Sequence, residues 1–262
     1  MVNSEVETYK SKHILDKLKA HGSISVAVLE SVDSTNSYAK REILSSRMDK
    51  TLLILANAQT GGRGRMGRSF YSPPESGIYM TLCYRTNAPL CDIVSITSSS
   101  AVAVMRAIKK HTGIQTGIKW VNDLYYNGKK VCGILAEAVP DRENKEYTYV
   151  IVGIGINLYK GNFPPELCDI AGALDADCSK NDLVADIADQ LLSFAEAPHD
   201  RSFMDEYRKN SIVIGREVKC AKGNMTVTGK AILVTDSGAL VVLQKDMSEI
   251  IIDSGEVSLR FI

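Results

Sequence analysis

The chain lacks an excess of either charge: 31 Lys and Arg face 31 Asp and Glu across 262 residues. Affinity for a polyanion comes mainly from a basic surface that neutralises phosphates, so no DNA- or RNA-binding role is expected. It also lacks any apolar run near the roughly 20 residues that cross a bilayer, and its start has no signal-peptide core. A soluble, cytoplasmic protein with no membrane partner is therefore expected. Cysteine pairs are missing too: Cys83, Cys91, Cys132, Cys168, Cys178 and Cys220 form no C-x-x-C, and a chain of this size needs no disulfide framework. Buried thiols follow as the expectation. His13, His21, His111 and His199 stand far apart without zinc-site spacing, so no structural metal is expected.

What is present is ordinary globular material, 45% hydrophobic and 24% charged, enough for one large domain and a small one. A short amphipathic pattern puts Ile14, Leu15 and Leu18 on one face and stops at Gly22. Ile24 to Val32 reads as a strand, and Asp33-Ser34-Thr35-Asn36 supplies cap-type side chains just before the helical run SYAKREILS. TLLILANA reads as a buried strand running straight into QTGGRGRMGR, a loop that no core could absorb; SGIYMTLCYR is a further strand. Ile93 to His111 favours a long helix, with Lys109 and Lys110 in its last turn and Gly113 at its C-cap. Lys119 to Tyr126 and Lys130 to Val139 alternate around Asn127-Gly128, a hairpin signature. EYTYVIVGIGINLY is a strand, residues 160–180 an irregular crossing, NDLVADIADQLLSFAE an amphipathic helix, and a second helix follows at Ser202 to Lys209. After Asn210 short alternating runs broken by Gly-Asn, Asp-Ser-Gly and Ser-Gly turns suggest a small β barrel, giving a first domain over 1–210 and a second over 211–262.

Three segments carry unusual chemistry. Gly62-Arg63-Gly64-Arg65-Met66-Gly67-Arg68 matches G-x-G-x-x-G in letters, but a dinucleotide fingerprint must open a helix, whereas Pro73, Pro74 and a strand follow here. Three guanidiniums among glycines whose N–H groups are exposed make instead a trap for phosphate or carboxylate; a flexible, solvated basic loop is the plainer alternative. In KWVNDLYYNGKKVCGILAE, Lys129 reads as exposed edge protection, while Lys130 enters an apolar run and is expected to point at a shared site. Asn122-Asp123 could hold Mg²⁺ or nucleotide. In VGIGIN, Gly153 and Gly155 share a face and could floor a flat pocket, or else serve close packing.

Taken in order, DSTN, QTGGRGRMGR, KWVNDL with KKVCGILAE, GIGIN and the final GEVSLR closely resemble the biotin protein ligases, over roughly residues 25 to 262. The resemblance implies an α/β (α+β) catalytic domain on a mixed sheet, of the biotin/lipoate ligase type, followed by an SH3-like barrel. It implies ATP-dependent attachment of biotin, through biotinyl-5′-AMP, to a lysine of a biotin carboxyl carrier protein, with Mg²⁺ at the nucleotide. By resemblance, Ser34, Thr35, Asn36 and Gln59 hold the ureido ring; Arg63, Gly64 and Arg65 close on the biotin carboxylate and adenylate phosphate; Lys130 stands at the same bond. Gly133, Gly153 and Gly155 line the biotin pocket. Arg65, Arg68, Phe70, Asn122, Asp123, Asn157 and Arg260 fall on the nucleotide side, with Asp123 the metal ligand and Lys130, Arg65 and Arg63 catalytic. Phe70 stands where the family often has tryptophan, giving a smaller face for adenine. Few residues precede the catalytic pattern, so a DNA-binding repressor role is not expected, and a homodimer is left open. The rival readings are a lipoate ligase or acyltransferase of related fold and a non-catalytic biotin sensor.

Overall fold

The computed structural model describes residues 7–19, 23–45, 48, 50–89, 95–161, 163–222, 225–253 and 256–259. Seven strands form one mixed sheet in the order β1-β2-β3-β7-β6-β5-β4: β1 (Ile24–Val32), β2 (Thr51–Gln59), β3 (Gly77–Thr86), β4 (Gly117–Lys119), β5 (Asp123–Tyr126), β6 (Lys129–Pro140) and β7 (Thr148–Asn157). β1 runs parallel to β2, and the remaining pairs are antiparallel. The helices of the same unit are α1 (Ser11–Lys17), α2 (Thr35–Ser45), α3 (Ile96–Thr112), α4 (Lys180–Glu196) and α5 (Phe203–Lys209). The continuous apolar reading of the central strands has a physical cause, because helices cover both faces. Leu53, Leu55, Met80 and Leu82 join α3 and α4 in the main core, whereas Ile54, Cys83 and Ile151 pack with Ala39 of α2 on the opposite face.

Local signals held where the chemistry is local. Asn127 and Gly128 both take positive φ, 49° and 76°, in the hairpin turn, and Gly113 is left-handed at the end of α3. Four expectations change. The run from Lys119 is two strands, with β4 folding back on β5 through Trp120 to Asn122, because those side chains bond to other segments. In α1, which is only two turns long, Ile14 is buried but Leu15 is 40% exposed, so the two do not share the buried face. α2 begins at Thr35, so part of the DSTN cap lies within the helix. Cys168 is exposed rather than buried, unlike Cys83, Cys132 and Cys220. Gly22, His21, Cys91 and the start of the helix expected from Ile93 lie outside the described residues.

Past Asn210 a separate antiparallel sheet follows in the order β11-β10-β9-β8-β12, built from β8 (Glu217–Lys222), β9 (Met225–Val234), β10 (Leu240–Leu243), β11 (Glu249–Ile252) and β12 (Glu256–Leu259). It is tied to the larger unit by one buried bond and by a more exposed set at Arg208. Trp120 Nε1 donates to the Gly238 carbonyl at 2.8 Å, and Arg208 donates to the Val234 carbonyl and the Asp236 carboxylate. Among the described residues no helix is long and apolar enough to cross a membrane.

Candidate active site

On the α2 face of the large sheet, β6 and β7 supply little side-chain volume at the positions of their glycines. Register sets Ala56, Tyr79, Gly155, Gly133 and Asp123 side by side across five strands, and the next row is Ile54, Thr81, Gly153 and Leu135. Directly paired residues project to the same face, so three glycines in two adjacent rows leave a hollow with Asp123 at its end. The glycines are used by neighbouring side chains. A Cβ on Gly153 would overlap Asn36 Oδ1, one on Gly155 would overlap the Phe70 ring, and one on Gly133 would meet Lys130 Nζ at 3.1 Å and Phe70 at 3.2 Å.

Lys130 reaches this hollow through an irregularity in the β5–β6 pairing. Leu124 faces Cys132 but Tyr125 faces Lys130, leaving Val131 as an extra residue. In a regular strand Lys130 and Gly133, three apart, would point to opposite faces; the bulge brings them to one. The ammonium then lies 2.7 Å from Asp123 Oδ1. Cys132, two residues on, is fully buried, and burial pushes its thiol well above its ordinary value.

The basic loop is folded rather than loose. Arg63 bridges Ser69, the Gly64 N–H donates to the Arg68 carbonyl at 2.7 Å, and the Phe70 N–H to the Gly62 carbonyl at 2.9 Å. Met66 and Gly67 take φ of 54° and 75° at its tip. Arg65 points inward and donates to Asn122 Oδ1 at 3.4 Å, while Asn122 Nδ2 donates to the Ile134 carbonyl at 2.6 Å. Opposite the loop, Ser34, Thr35 and Asn36 are buried at the β1–α2 junction, and Gln59 Oε1 accepts from the Thr35 N–H at 2.9 Å.

One cavity is thus lined by Ser34, Thr35, Asn36, Gln59, the loop residues 63–66 and 68–70, Asn122, Asp123, Lys130 and all three floor glycines. Lys119, Trp120, Leu135 and Val257 also line it, and none of them is a site residue on sequence grounds. Among the described lining residues Arg63, Arg65, Arg68, Lys119 and Lys130 stand against one carboxylate, Asp123, so the potential there favours an anionic ligand. Among the described residues neither cysteine nor histidine lines it. Phe70 rests on the glycine floor and is half-buried. Asn157 lines a different small pocket with Tyr71, Pro73 and Phe163, and its amide donates to the Gly172 carbonyl at 2.9 Å. Arg260 lies outside the described residues.

The model described as Biotin/lipoate A/B protein ligase family matches residues 28–157, and that described as Biotin protein ligase C terminal domain matches residues 213–260. The bifunctional ligase/repressor BirA of Bacillus subtilis is 33% identical over 224 residues, 82% of this chain and 68% of that protein. The biotin--[acetyl-CoA-carboxylase] ligase of Mycobacterium tuberculosis is 25% identical over 243 residues, covering 88% and 87% of the two chains. Among solved structures, the biotin protein ligase from Aquifex aeolicus in complex with biotin and ATP superposes with a TM-score of 0.71 at 29% identity, over 90% of this chain and 98% of that one.

Proposed function

The chain belongs to the biotin/lipoate A/B protein ligase family, and on that premise we propose that it joins biotin to a lysine of a carboxyl carrier protein through biotinyl-5′-AMP. The observation that carries this reading is the convergence of Arg63, Arg65 and Lys130 above a glycine floor. A carboxylate must attack the α-phosphorus of ATP, and two anions repel unless cations are fixed between them. In the first step the biotin carboxylate oxygen bonds to that phosphorus while the bond to the bridging oxygen breaks and pyrophosphate leaves. Arg63 and Arg65 would hold the two anions, and Lys130 would stabilise charge on the transferring group. In the second step the carrier's lysine amine attacks the biotinyl carbonyl, the acyl–oxygen bond breaks, AMP leaves, and the amine proton passes to solvent. The acyl adenylate stays non-covalent, which suits a cavity whose described lining holds neither cysteine nor histidine.

Ser34, Thr35, Asn36 and Gln59 suit the polar end of biotin and the glycine floor its ring; Phe70, expected at the adenine, rests instead against that floor. Arg68, Asn122 and Asp123 would face the nucleotide. The donor set fits Mg²⁺ that arrives with ATP rather than a resident ion: Asp123 is the one lining carboxylate, and no group of three or more metal-type side chains occurs among the described residues. One carboxylate plus substrate phosphates is a normal magnesium environment. The C-terminal match to biotin protein ligases favours biotin over lipoate, and five cations at one cavity favour catalysis over simple sensing. A cytoplasmic enzyme divided near residue 210 completes the proposal.

The test is biotin-dependent exchange of labelled pyrophosphate into ATP with Mg²⁺, with octanoate and lipoate run in parallel. Exchange with biotin alone supports the proposal. Exchange with lipoate instead moves the chain to the lipoate branch, and binding of biotin without exchange makes it a sensor.

A further inference from the structure

A chain of polar side chains runs beneath the cavity from Lys40 near the surface to the Phe70 carbonyl in the basic loop. Lys40 Nζ is 2.6 Å from Glu137 Oε1, and Glu137 Oε2 accepts from Asn36 Nδ2 at 3.0 Å. The second amide proton of Asn36 goes to the Leu135 carbonyl at 3.2 Å. The Thr81 hydroxyl oxygen lies 2.7 Å from both Asn36 Oδ1 and Thr35 Oγ1. Beyond it, Gln59 Nε2 donates to Ser72 Oγ at 2.9 Å, and Ser72 donates to the Phe70 carbonyl at 2.9 Å. Thr81 is wholly buried in the middle of β3, where its neighbours in the strand are apolar.

Proton counting gives this network a direction. Asn36 cannot flip its amide, because that would set its oxygen against a carbonyl and a carboxylate. Its Oδ1 therefore faces Thr81 and requires a donor. Thr81 has one proton, so it donates to Asn36 and accepts from Thr35. With its proton directed at Thr81, Thr35 Oγ1 is left with lone pairs, and Thr35 lines the cavity.

We infer that Thr81 is a positioning residue that turns Thr35 into a hydrogen-bond acceptor for an N–H of the bound acid. The inference rests on the reading of this cavity as the biotin site, since the ureido ring of biotin carries two N–H groups. Without the Thr81 hydroxyl, Asn36 Oδ1 loses its donor. The remaining acceptor for the Thr35 hydroxyl is Gln59 Oε1 at 3.2 Å, a longer bond to an oxygen shared with the Thr35 N–H, so the hydroxyl proton is held away from the ligand less firmly.

Thr81→Val keeps the side-chain volume and removes the hydroxyl; Thr81→Ser keeps the hydroxyl. In the pyrophosphate-exchange assay Thr81→Val is expected to raise the biotin KM about tenfold, the size of one lost hydrogen bond, with the ATP KM and kcat within about twofold. Thr81→Ser is expected to restore the biotin KM to within about threefold of the unaltered protein. A purely structural role would move all three constants together. An unchanged biotin KM in Thr81→Val, or equal impairment in Thr81→Ser, overturns the inference. Should Thr81→Val not fold, Thr81→Ala is the second variant, with the same expected rise and the same contrary result. Absence of biotin-dependent exchange in the unaltered protein overturns the reading of the site itself, and the inference with it.

Discussion

Lys130 Nζ lies 2.7 Å from Asp123 Oδ1, at the end of the row that Gly155 and Gly133 leave empty. The carboxylate holds the ammonium over the floor where an acid and a nucleotide would meet. Preorganised cations at a developing charge are worth a few kcal/mol each. Lys130→Ala is therefore expected to lower the rate of biotin-dependent pyrophosphate exchange by about two to three orders of magnitude. A loss smaller than tenfold would remove Lys130 from the chemistry.

Gly153 and Gly155 occupy the same strand face, yet their alanine variants are expected to differ. The Cβ at residue 153 overlaps Asn36, whose amide is held on three sides and cannot yield. Overpacking of that kind costs about 1–3 kcal/mol, so Gly153→Ala is expected to lose stability by that amount in urea unfolding. At residue 155 the obstacle is the Phe70 ring, half-buried on a loop, which can move aside. Gly155→Ala is expected to unfold at nearly the original urea concentration while binding biotin more weakly. Equal stability losses would show that Phe70 is as fixed as Asn36.

Much of this arrangement was legible before the structure, for reasons that are local. The hairpin at Asn127-Gly128, the buried runs of β2 and β3 and the basic loop each declare themselves within about ten residues. Thr81, Glu137 and Val257 were not legible, because their positions under or beside the cavity depend on register between strands far apart in sequence. The bulge at Val131, which aims Lys130, likewise exists only in the β5–β6 pairing. Asn157 shows the converse. Its place in the GIGIN motif groups it with the pocket glycines, but it ends β7, where the crossing segment takes its amide through Gly172.

Trp120 links the cavity wall to the C-terminal sheet. Its ring is buried, its N–H is bonded to the Gly238 carbonyl, and the next residue's carbonyl accepts from Tyr207 at 3.1 Å. Trp120→Phe keeps an aromatic ring but leaves a buried carbonyl without that donor, at an expected cost of about 1–3 kcal/mol in urea unfolding. Because Asn122 and Asp123 follow two and three residues on, the ATP KM is expected to rise more than the biotin KM. Unchanged stability would mean that the bond to Gly238 does not hold the two sheets together.

Acid sensitivity at the β1–α2 junction should trace to a different pair. Asp33 accepts from both Nη atoms of Arg41 at 2.8 Å, and this bonding lowers its carboxyl from the ordinary 3.8 to about 2. A carboxyl depressed on folding contributes stability that is fully present above its unfolded value and is lost as pH falls through the folded one. The window is therefore pH 4 to 2. Both side chains are about half exposed, so the contribution is modest and weakens with salt. The Asp33 carbonyl also holds the Gly61 N–H at 2.8 Å, so loosening here reaches the segment that carries Thr35 and the base of the basic loop. In low salt, the melting temperature of Asp33→Asn is expected to fall less steeply between pH 4 and 2 than that of the unaltered protein, with the two curves parallel above pH 5. Equal slopes throughout that window would show that the pair adds nothing to folding and that the acid response originates in another carboxylate.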